Sequence, residues 1–258
     1  MDFTQGLVET AYKAYEKKLL KIVKEGKIPG HVGIIMDGNR RFAKELGMKP
    51  SDGHMKGRDK LEEVIDWCRE VGIKILTVYA FSTENFSRSR EEVLELMRLF
   101  VENLKRAADD ERVHENGIRI RVIGQREILP EDLQRAIDYA EERTKNYDKF
   151  FFNIAIAYGG REEIVKAIKE IAQEVKEGKL KIEDIDENEV RKHLYTAELP
   201  DPDLILRTSG EERISNFLLW QSAYSEFYFA DIYWPTFRKI DFLRAIRDYQ
   251  LRQRRFGR

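Results

Sequence analysis

With a single cysteine, Cys68, the chain can form no internal disulfide and has no cysteine-based zinc site. Cys68 sits beside Trp67 in a helical pattern and is assigned to the core. The four histidines are too scattered for a histidine-based metal site, and no Ser-His-Asp arrangement has spacing support. No apolar run is long enough to span a bilayer, and the N-terminus lacks the cationic-then-apolar order of a signal peptide. A soluble, cytoplasmic protein is therefore expected. Neither G-x-x-x-x-G-K-[ST] nor G-x-G-x-x-G occurs, which removes the common nucleotide-binding loops. A large charge of one sign is also missing. Lys and Arg number 46 against 47 Asp and Glu, a formal net charge of −1, so a surface-wide nucleic-acid binder is excluded. There is no internal repeat and no low-complexity segment.

What the chain has is charge in balance and enough apolar material for a sizeable core. Charged residues reach 36%, against a usual value of about 25%, and hydrophobic residues 42%. Residues 7–25 read as an amphipathic helix with lysines dense on one face, suited to packing or to lying on a membrane or greasy substrate. Strands are expected near 31–36, from Ile73 to Ala80, over Ile118 to Ile123, from Phe150 to Ala157, at Leu204–Leu206 and at Phe227–Phe229. The segment 47–54 reads as a loop, and a helix begins at His54 and runs to Val71. Ser89 and Glu92 form a capping box for a helix to about residue 109. Pro130 opens a helix to Asn146, and others run to Lys176, over Glu187–Leu194 and from Asp241 to Arg254; Phe217 to Tyr224 is helical or irregular. Strands alternate with helices, so the expectation is an α/β fold. It is a single domain over 1–258, with a mostly parallel central β-sheet flanked by helices.

The stretch Ile34-Ile35-Met36-Asp37-Gly38-Asn39-Arg40-Arg41-Phe42-Ala43 is an apolar strand that ends in a carboxylate, turns at a glycine and feeds a helix. A carboxylate there can hold Mg²⁺, the turn and helix start offer N–H groups to an anion, and Arg40 and Arg41 match phosphate oxygens. His54 could reach the same anion. Ser82, Asn85 and Arg88 follow the second strand, and Arg207, Arg213 and Ser215, with Glu226, follow the fifth. In open α/β sheets ligands collect at the carboxyl ends of strands. Together these groups supply more than one anion site and carboxylates for a divalent cation. Asn39 stands where an aspartyl phosphotransferase would need a second carboxylate, so Asp37 reads as an organiser of metal or anion and not as a covalent nucleophile. The aromatics Phe150, Phe151, Phe152, Phe217, Trp220, Phe227 and Phe229 are assigned to the core, with a greasy binding surface as the other reading.

His31 to Ala43 resembles the first signature of the cis-prenyltransferases, the family of undecaprenyl and dehydrodolichyl diphosphate synthases. The match continues through Gly53-His54, Tyr79 to Phe86, Tyr158-Gly159-Gly160-Arg161 and Arg207 to Gln221. It closes with Tyr224, Glu226 and an Arg255-Phe256-Gly257 tail. The resemblance implies condensation of isopentenyl diphosphate onto an allylic prenyl diphosphate such as farnesyl or geranylgeranyl diphosphate. The product is a long Z-polyprenyl diphosphate, and Mg²⁺, a homodimer and peripheral membrane contact are implied with it. Asp37 would hold Mg²⁺ against the allylic diphosphate, cradled by Gly38, Asn39, Arg40 and Arg41, with Phe42 beside them and His54 assisting. Arg207, Arg213 and Ser215 would bind isopentenyl diphosphate with Arg88 nearby, and Glu226 would help place the metal. Ser82 and Asn85 would sit where the proton leaves, between Phe81 and Phe86, with Asn85 as a positioning residue. Arg255 and Gly257 would reach the partner subunit's site. A hydrophobic tunnel between sheet and helices would set product length, with Phe152 and residues near Arg58 and Ala80 contributing.

Arg40-Arg41-Phe42 resembles the archaeal and eukaryotic branch, where bacterial members have Gly-Arg-Trp. Pro50 replaces an arginine that many bacterial members carry, leaving one diphosphate contact missing or supplied by Lys49. No D-D-x-x-D is present, and the β-rich pattern is wrong for the all-helical trans-prenyltransferases. Two other readings stay open. A non-catalytic partner subunit of a heteromeric prenyltransferase typically loses the aspartate, yet Asp37, Asn85, Arg207, Arg213 and Glu226 are all present. A plain phosphate-binding or phosphohydrolase domain would release phosphate and fail to elongate.

Overall fold

His31–Ile35, strand β1, is buried at every residue, as a central parallel strand covered on both faces must be. Its neighbours are β2 (Ile75–Ser82) and β5 (Leu204–Arg207), and β4 (Phe150–Tyr158), β3 (Ile118–Ile123) and β6 (Glu226–Phe229) extend the sheet outwards. The order is β3-β4-β2-β1-β5-β6 and every pairing is parallel, where sequence reading expected a mostly parallel sheet. The computed structural model describes the backbone of residues 3–252 and the side chains of residues 11–252.

The chain leaves β1 for β2 on one side and later returns to place β5 on the other. The order of travel therefore reverses between β1 and β5, and at such a switch point the loops diverge and leave a crevice at the carboxyl edge. Register fixes what lies there. Ile35 is level with both Tyr79 and Arg207, so the residues after β1, the end of β2 and the end of β5 meet at one edge.

Alternate residues of each strand face opposite ways. Ile34, Val78 and Leu206 join a large core with α1 (Phe3–Glu25), α3 (Pro50–Val71), α4 (Arg90–Asp109), α6 (Glu131–Thr144) and α9 (Lys239–Arg252). Ile35, Tyr79, Ala155 and Ile205 form a smaller core on the other face with Tyr158, Phe217 and Leu218. Cys68 is fully buried in the large core, and burial pushes its thiol up. The remaining helices are α2 (Asn39–Glu45), α5 (Glu111–Glu115), α7 (Gly160–Lys176) and α8 (Glu187–Lys192).

Several boundaries differ from the sequence reading. Helix α3 starts at Pro50, not at His54, because proline is at home in the first turn and the Asp52 carboxylate accepts from the Lys49 N–H at 3.1 Å. His54 therefore lies within the helix. The short α5 was not expected, while Phe217 to Tyr224 takes the irregular one of its two readings and forms turns and bends, without helix or strand. Ser89 caps α4 by accepting from the Glu92 N–H at 3.3 Å, while the Glu92 carboxylate turns to other partners.

Candidate functional site

Asp37 follows β1 in the crevice between β1 and β5. Its carbonyl accepts from the Trp234 N–H at 3.0 Å and the Thr208 hydroxyl at 2.7 Å, which fixes the backbone at this point. Gly38 then turns the chain with φ +107°, and a Cβ there would lie 2.8 Å from the Tyr233 ring and 3.0 Å from its Cα. Only glycine fits that conformation and that space. Gly38 caps α2 without a side chain, so no side chain occupies the first N–H groups of the helix.

The Asp37 carboxylate receives two guanidinium groups. Arg207 Nη2 donates to Oδ2 at 2.7 Å, and Arg41 Nη2 lies 3.3 Å from the same oxygen. Burial pushes the Asp37 carboxyl up, but the hydrogen bond and charge of Arg207, with the charge of Arg41, more than offset this and hold it below the usual carboxylate range. Arg207 is buried and gives its other amino group to Ser215 Oγ at 2.8 Å and to the Arg213 carbonyl. Its Nε is buried without a partner. Arg41 bonds Ser209 Oγ at 2.5 Å and Glu211 Oε1 at 3.1 Å, and Arg213 pairs with Glu211 Oε2 at 2.5 Å.

A second group of cations surrounds Glu92. Arg88 Nη1 lies 3.0 Å and Arg40 Nε 3.5 Å from Glu92 Oε1. His54 Nε2 is 3.8 Å away, beyond hydrogen-bond reach, and is buried without a partner. Burial and then repulsion from Arg88, partly opposed by Glu92, pull the His54 imidazole down to about 4, so it is neutral at pH 7. A cavity of about 730 Å³ joins the two groups, lined by Asp37, Gly38, Asn39, Arg40, Arg41 and Arg88 among others.

This polar cavity shares Met36, Asn39 and His54 with an apolar tunnel of about 210 Å³. The tunnel runs between α3, α4 and the sheet, past Leu61, Ile65, Phe100, Ile154 and Ile156, and Phe152, Arg58 and Ala80 all line it. The Asn39 carboxamide oxygen at the junction is buried without a partner. A highly charged mouth therefore opens directly onto a hydrocarbon lining.

The loop that carries Arg213 and Ser215 is pinned by Asn216. Its carbonyl accepts from Gly160 N at 2.7 Å, and its Oδ1 accepts from Arg161 N at 2.8 Å. Its Nδ2 donates to Glu162 at 3.0 Å and Glu84 at 3.1 Å. Ser215 and Asn216 both have positive φ, and Asn enters that region more readily than most residues. Gly160 is required because a Cβ there would lie 2.7 Å from the Leu219 side chain and 3.0 Å from its backbone nitrogen. Beneath the loop the fully buried Glu163 accepts from Tyr158 at 2.5 Å, Tyr195 N at 2.8 Å and Gln221 at 3.1 Å.

The structure thus gathers Asp37, Gly38, Asn39, Arg40, Arg41, His54 and Arg88 at one cavity, with Arg207, Ser215 and Arg213 behind Asp37. Ser82 and Asn85 lie at the end of the adjacent β2, where Asn85 Oδ1 accepts from Ser82 N at 3.0 Å. Phe42, Phe81 and Phe86 line neither cavity; Phe81 is buried against Phe86 and Phe100. Glu226 is a correction. It pairs in register with Leu204, three residues before Arg207, so it sits about 10 Å down the sheet from the carboxyl edge. There its carboxylate lies 3.6 Å from Arg252, so within one chain it is not a metal ligand beside Asp37. Arg255 and Gly257 lie outside the described residues. Glu92, Ser209 and Asn216 were missed. In the sequence Glu92 reads only as half of a capping box, and Ser209 and Asn216 fall inside the stretch Arg207 to Gln221 with no role of their own. Among the described residues, Glu174, Glu189 and His193 form the one grouping within metal-ligand reach of each other. It lies on the last turn of α7 and on α8, away from Asp37.

Residues 35–257 match the family model Prenyltransf, which describes undecaprenyl diphosphate synthases. The tritrans,polycis-undecaprenyl-diphosphate synthase (geranylgeranyl-diphosphate specific) of Pyrococcus furiosus is 59% identical over 96% of this chain and 94% of its own length. That of Methanopyrus kandleri is 56% identical over 97% and 93%. Among solved structures, lavandulyl diphosphate synthase from Lavandula x intermedia, in complex with dimethylallyl diphosphate, is 41% identical with a TM-score of 0.83, covering 86% of this chain and 95% of that one. A probable undecaprenyl diphosphate synthase from Campylobacter jejuni is 32% identical with a TM-score of 0.72, covering 90% and 100%.

Proposed function

The chain belongs to the cis-prenyltransferase family, and we propose from its site that it extends geranylgeranyl diphosphate with isopentenyl diphosphate to an undecaprenyl-length Z-polyprenyl diphosphate. The supporting observation is the junction at Met36, Asn39 and His54, where a cavity built for a diphosphate opens onto a tunnel built for a prenyl tail. The primer and product class follow the archaeal relatives.

The allylic diphosphate lies against Gly38, Asn39, Arg40 and Arg41, and the prenyl tail passes His54 into the tunnel. Arg207, Arg213 and Ser215 hold isopentenyl diphosphate, with Arg88 nearby. A new bond forms between the allylic C1 and the terminal carbon of isopentenyl diphosphate as the allylic diphosphate leaves, and a proton is then lost from the extended unit. Charge grows on the departing group, where fixed guanidiniums stabilise it without reorganising. Asn85 fixes the turn at Ser82 beside the point of proton loss, and its amide does not act as the base. Asp37 fits Mg²⁺, which takes one or two protein carboxylates and completes its shell with phosphate oxygens and water, and the bound ion supplies further charge neutralisation. The carboxylate that Arg207 and Arg41 keep ionised is the donor such an ion needs. The chain acts as a homodimer, as the family resemblance implies. It works in the cytoplasm, peripheral to a membrane, since its product is a membrane lipid and no helix among the described residues is long and apolar enough to cross one.

The test is product analysis by mass spectrometry with isopentenyl diphosphate, Mg²⁺ and, separately, geranyl, farnesyl and geranylgeranyl diphosphate. Long products from geranylgeranyl diphosphate, lost with chelator and in Asp37→Ala, are expected. A folded protein that elongates no primer would refute the proposal.

A further inference from the structure

Outside the linings of the polar cavity and the tunnel, α7 and α8 bring one imidazole and three carboxylates together. Glu170 and Glu174 are four residues apart on α7, so they share a face of that helix. Glu189 of α8 and His193, which caps the C-terminus of α8, are also four apart and meet that face. Asp186 starts α8 by accepting from the Glu189 N–H at 2.8 Å, which fixes where the second pair begins. Neither pair takes part in the chemistry proposed above.

The His193 ring is held in the manner of a metal ligand. Its Nδ1 lies 3.3 Å from Glu170 Oε2, and a carboxylate can only accept, so Nδ1 carries the proton of the neutral ring. The Nε2 lone pair then faces two further carboxylate oxygens, Glu189 Oε1 at 3.4 Å and Glu174 Oε2 at 3.7 Å. A lone pair set against two anionic oxygens is unfavourable unless a cation lies between them. The spacing suits one ion. With metal–ligand bonds of about 2.0–2.1 Å, the edge of a tetrahedron is roughly 3.3–3.4 Å. One ligand atom from each of Glu174, Glu189 and His193 lies within 4.8 Å of the others. Glu170 supplies what a metal-bound histidine ordinarily has, a carboxylate on its other nitrogen that sets tautomer and orientation. Lys166 holds Oε1 of Glu170 and Lys192 holds Oε2 of Glu189, each at 2.6 Å, and in both cases this is the oxygen that does not face His193.

We propose that His193 Nε2, Glu174 and Glu189 form a site for a divalent transition-metal ion of the Zn²⁺ type, with Glu170 orienting the imidazole and water completing the shell. An imidazole with two carboxylates suits Zn²⁺, whereas Mg²⁺ takes oxygen ligands alone. The site differs from Asp37 both in position and in donor set. Its ion ties α8 to α7. From His193 the chain runs directly to Tyr195, whose N–H donates to Glu163 at 2.8 Å, and to Thr196, whose hydroxyl accepts from Gln221 at 2.9 Å. The ion therefore steadies the segment that supports the buried network beneath the Arg213–Ser215 loop.

Untagged protein, stripped with chelator and dialysed, is titrated with Co²⁺ in excess Mg²⁺ and then with Zn²⁺. The expected result is one Co²⁺ per chain with the intense visible absorption of a four-coordinate site, displaced by Zn²⁺ and not by Mg²⁺. His193→Ala is expected to abolish that absorption. Glu170→Ala leaves all three ligands in place and is expected to weaken binding about ten- to a hundredfold. Zn²⁺ should raise the Tm of the wild type and leave that of His193→Ala unchanged. Circular dichroism checks that the variants fold, and Glu189→Gln gives the same reading if His193→Ala does not. Co²⁺ bound no more tightly than Mg²⁺, or bound equally by the wild type and a folded ligand variant, would overturn the site and leave an ion-pair cluster only. The readouts do not depend on prenyl transfer, so failure of the proposed activity would leave this result standing.

Discussion

His31 opens the central strand at the end away from the site, and its protonation is expected to weaken the fold in acid. Its Nδ1 lies 2.7 Å from the Pro200 carbonyl and its Nε2 2.8 Å from Thr77 Oγ1. A carbonyl can only accept, so Nδ1 carries the proton and Nε2 accepts from the Thr77 hydroxyl. Burial is the main cause that pulls the imidazole down to about 4, outweighing the Pro200 bond and the Asp203 charge, which both raise it. The unfolded chain takes up this proton near 6.5 and the folded chain near 4. Between those values the unfolded state binds more protons, so the stability contributed is full above pH 6.5 and is lost as pH falls towards 4. At pH 5 the loss relative to pH 7 is about 2 kcal/mol, which for a chain of this size lowers Tm by roughly 4–8 °C. Glu163 works in the opposite sense, since burial raises its carboxyl, so the readout is the difference between wild type and His31→Asn. The variant is expected to lose less Tm between pH 7 and pH 5 by that amount, and the wild-type His31 C2–H resonance to titrate near 4. A midpoint at or above 6.5, or parallel Tm profiles for the two proteins, would refute the reasoning.

Asn216→Ala removes the side-chain bonds to Arg161, Glu162 and Glu84 and leaves the Arg213–Ser215 loop unpinned. In steady-state kinetics KM for isopentenyl diphosphate is expected to rise about tenfold with a smaller change in kcat. Asn216→Asp should be worse, because it sets a third carboxylate beside Glu84 and Glu162. Glu163→Ala strands the buried Tyr158 hydroxyl, Tyr195 N–H and Gln221 amide, and denaturant unfolding should show a loss of about 3 kcal/mol.

The parallel α/β architecture was legible because the strands, β5 apart, are short β-branched or aromatic runs followed by a helical period. The polar cavity was legible because its groups come from one local stretch, 37–41, joined by residues just past other strand ends. The misses are of two physical kinds. Glu92 satisfies a local rule, the cap of α4, with its backbone, while its carboxylate answers to Arg40 and Arg88 from other segments, and no spacing within 89–92 reveals that. Glu226 failed for the opposite reason. It lies in a motif next to a strand, but at the amino end of β6, and which end of a strand a residue occupies depends on register with Leu204. Pro50 misled because a proline after Gly47 reads as loop, although the same proline suits the first turn of α3.

Helix α3 explains why head group and tail are handled in one place. Its second turn carries His54 to the junction, its middle turns line the tunnel with Leu61, Glu62 and Ile65, and its last turns add Asp66 and Arg69 to the lining. A neutral imidazole at the junction is compatible with this, since it adds no charge where an apolar tail must pass, whereas Arg40 and Arg88 stay on the diphosphate side. Glu92 balances those two arginines in the free enzyme, and it sits near the start of α4, the helix that forms the facing tunnel wall. Glu92 thereby links the charged cavity to the helix that walls the apolar tunnel.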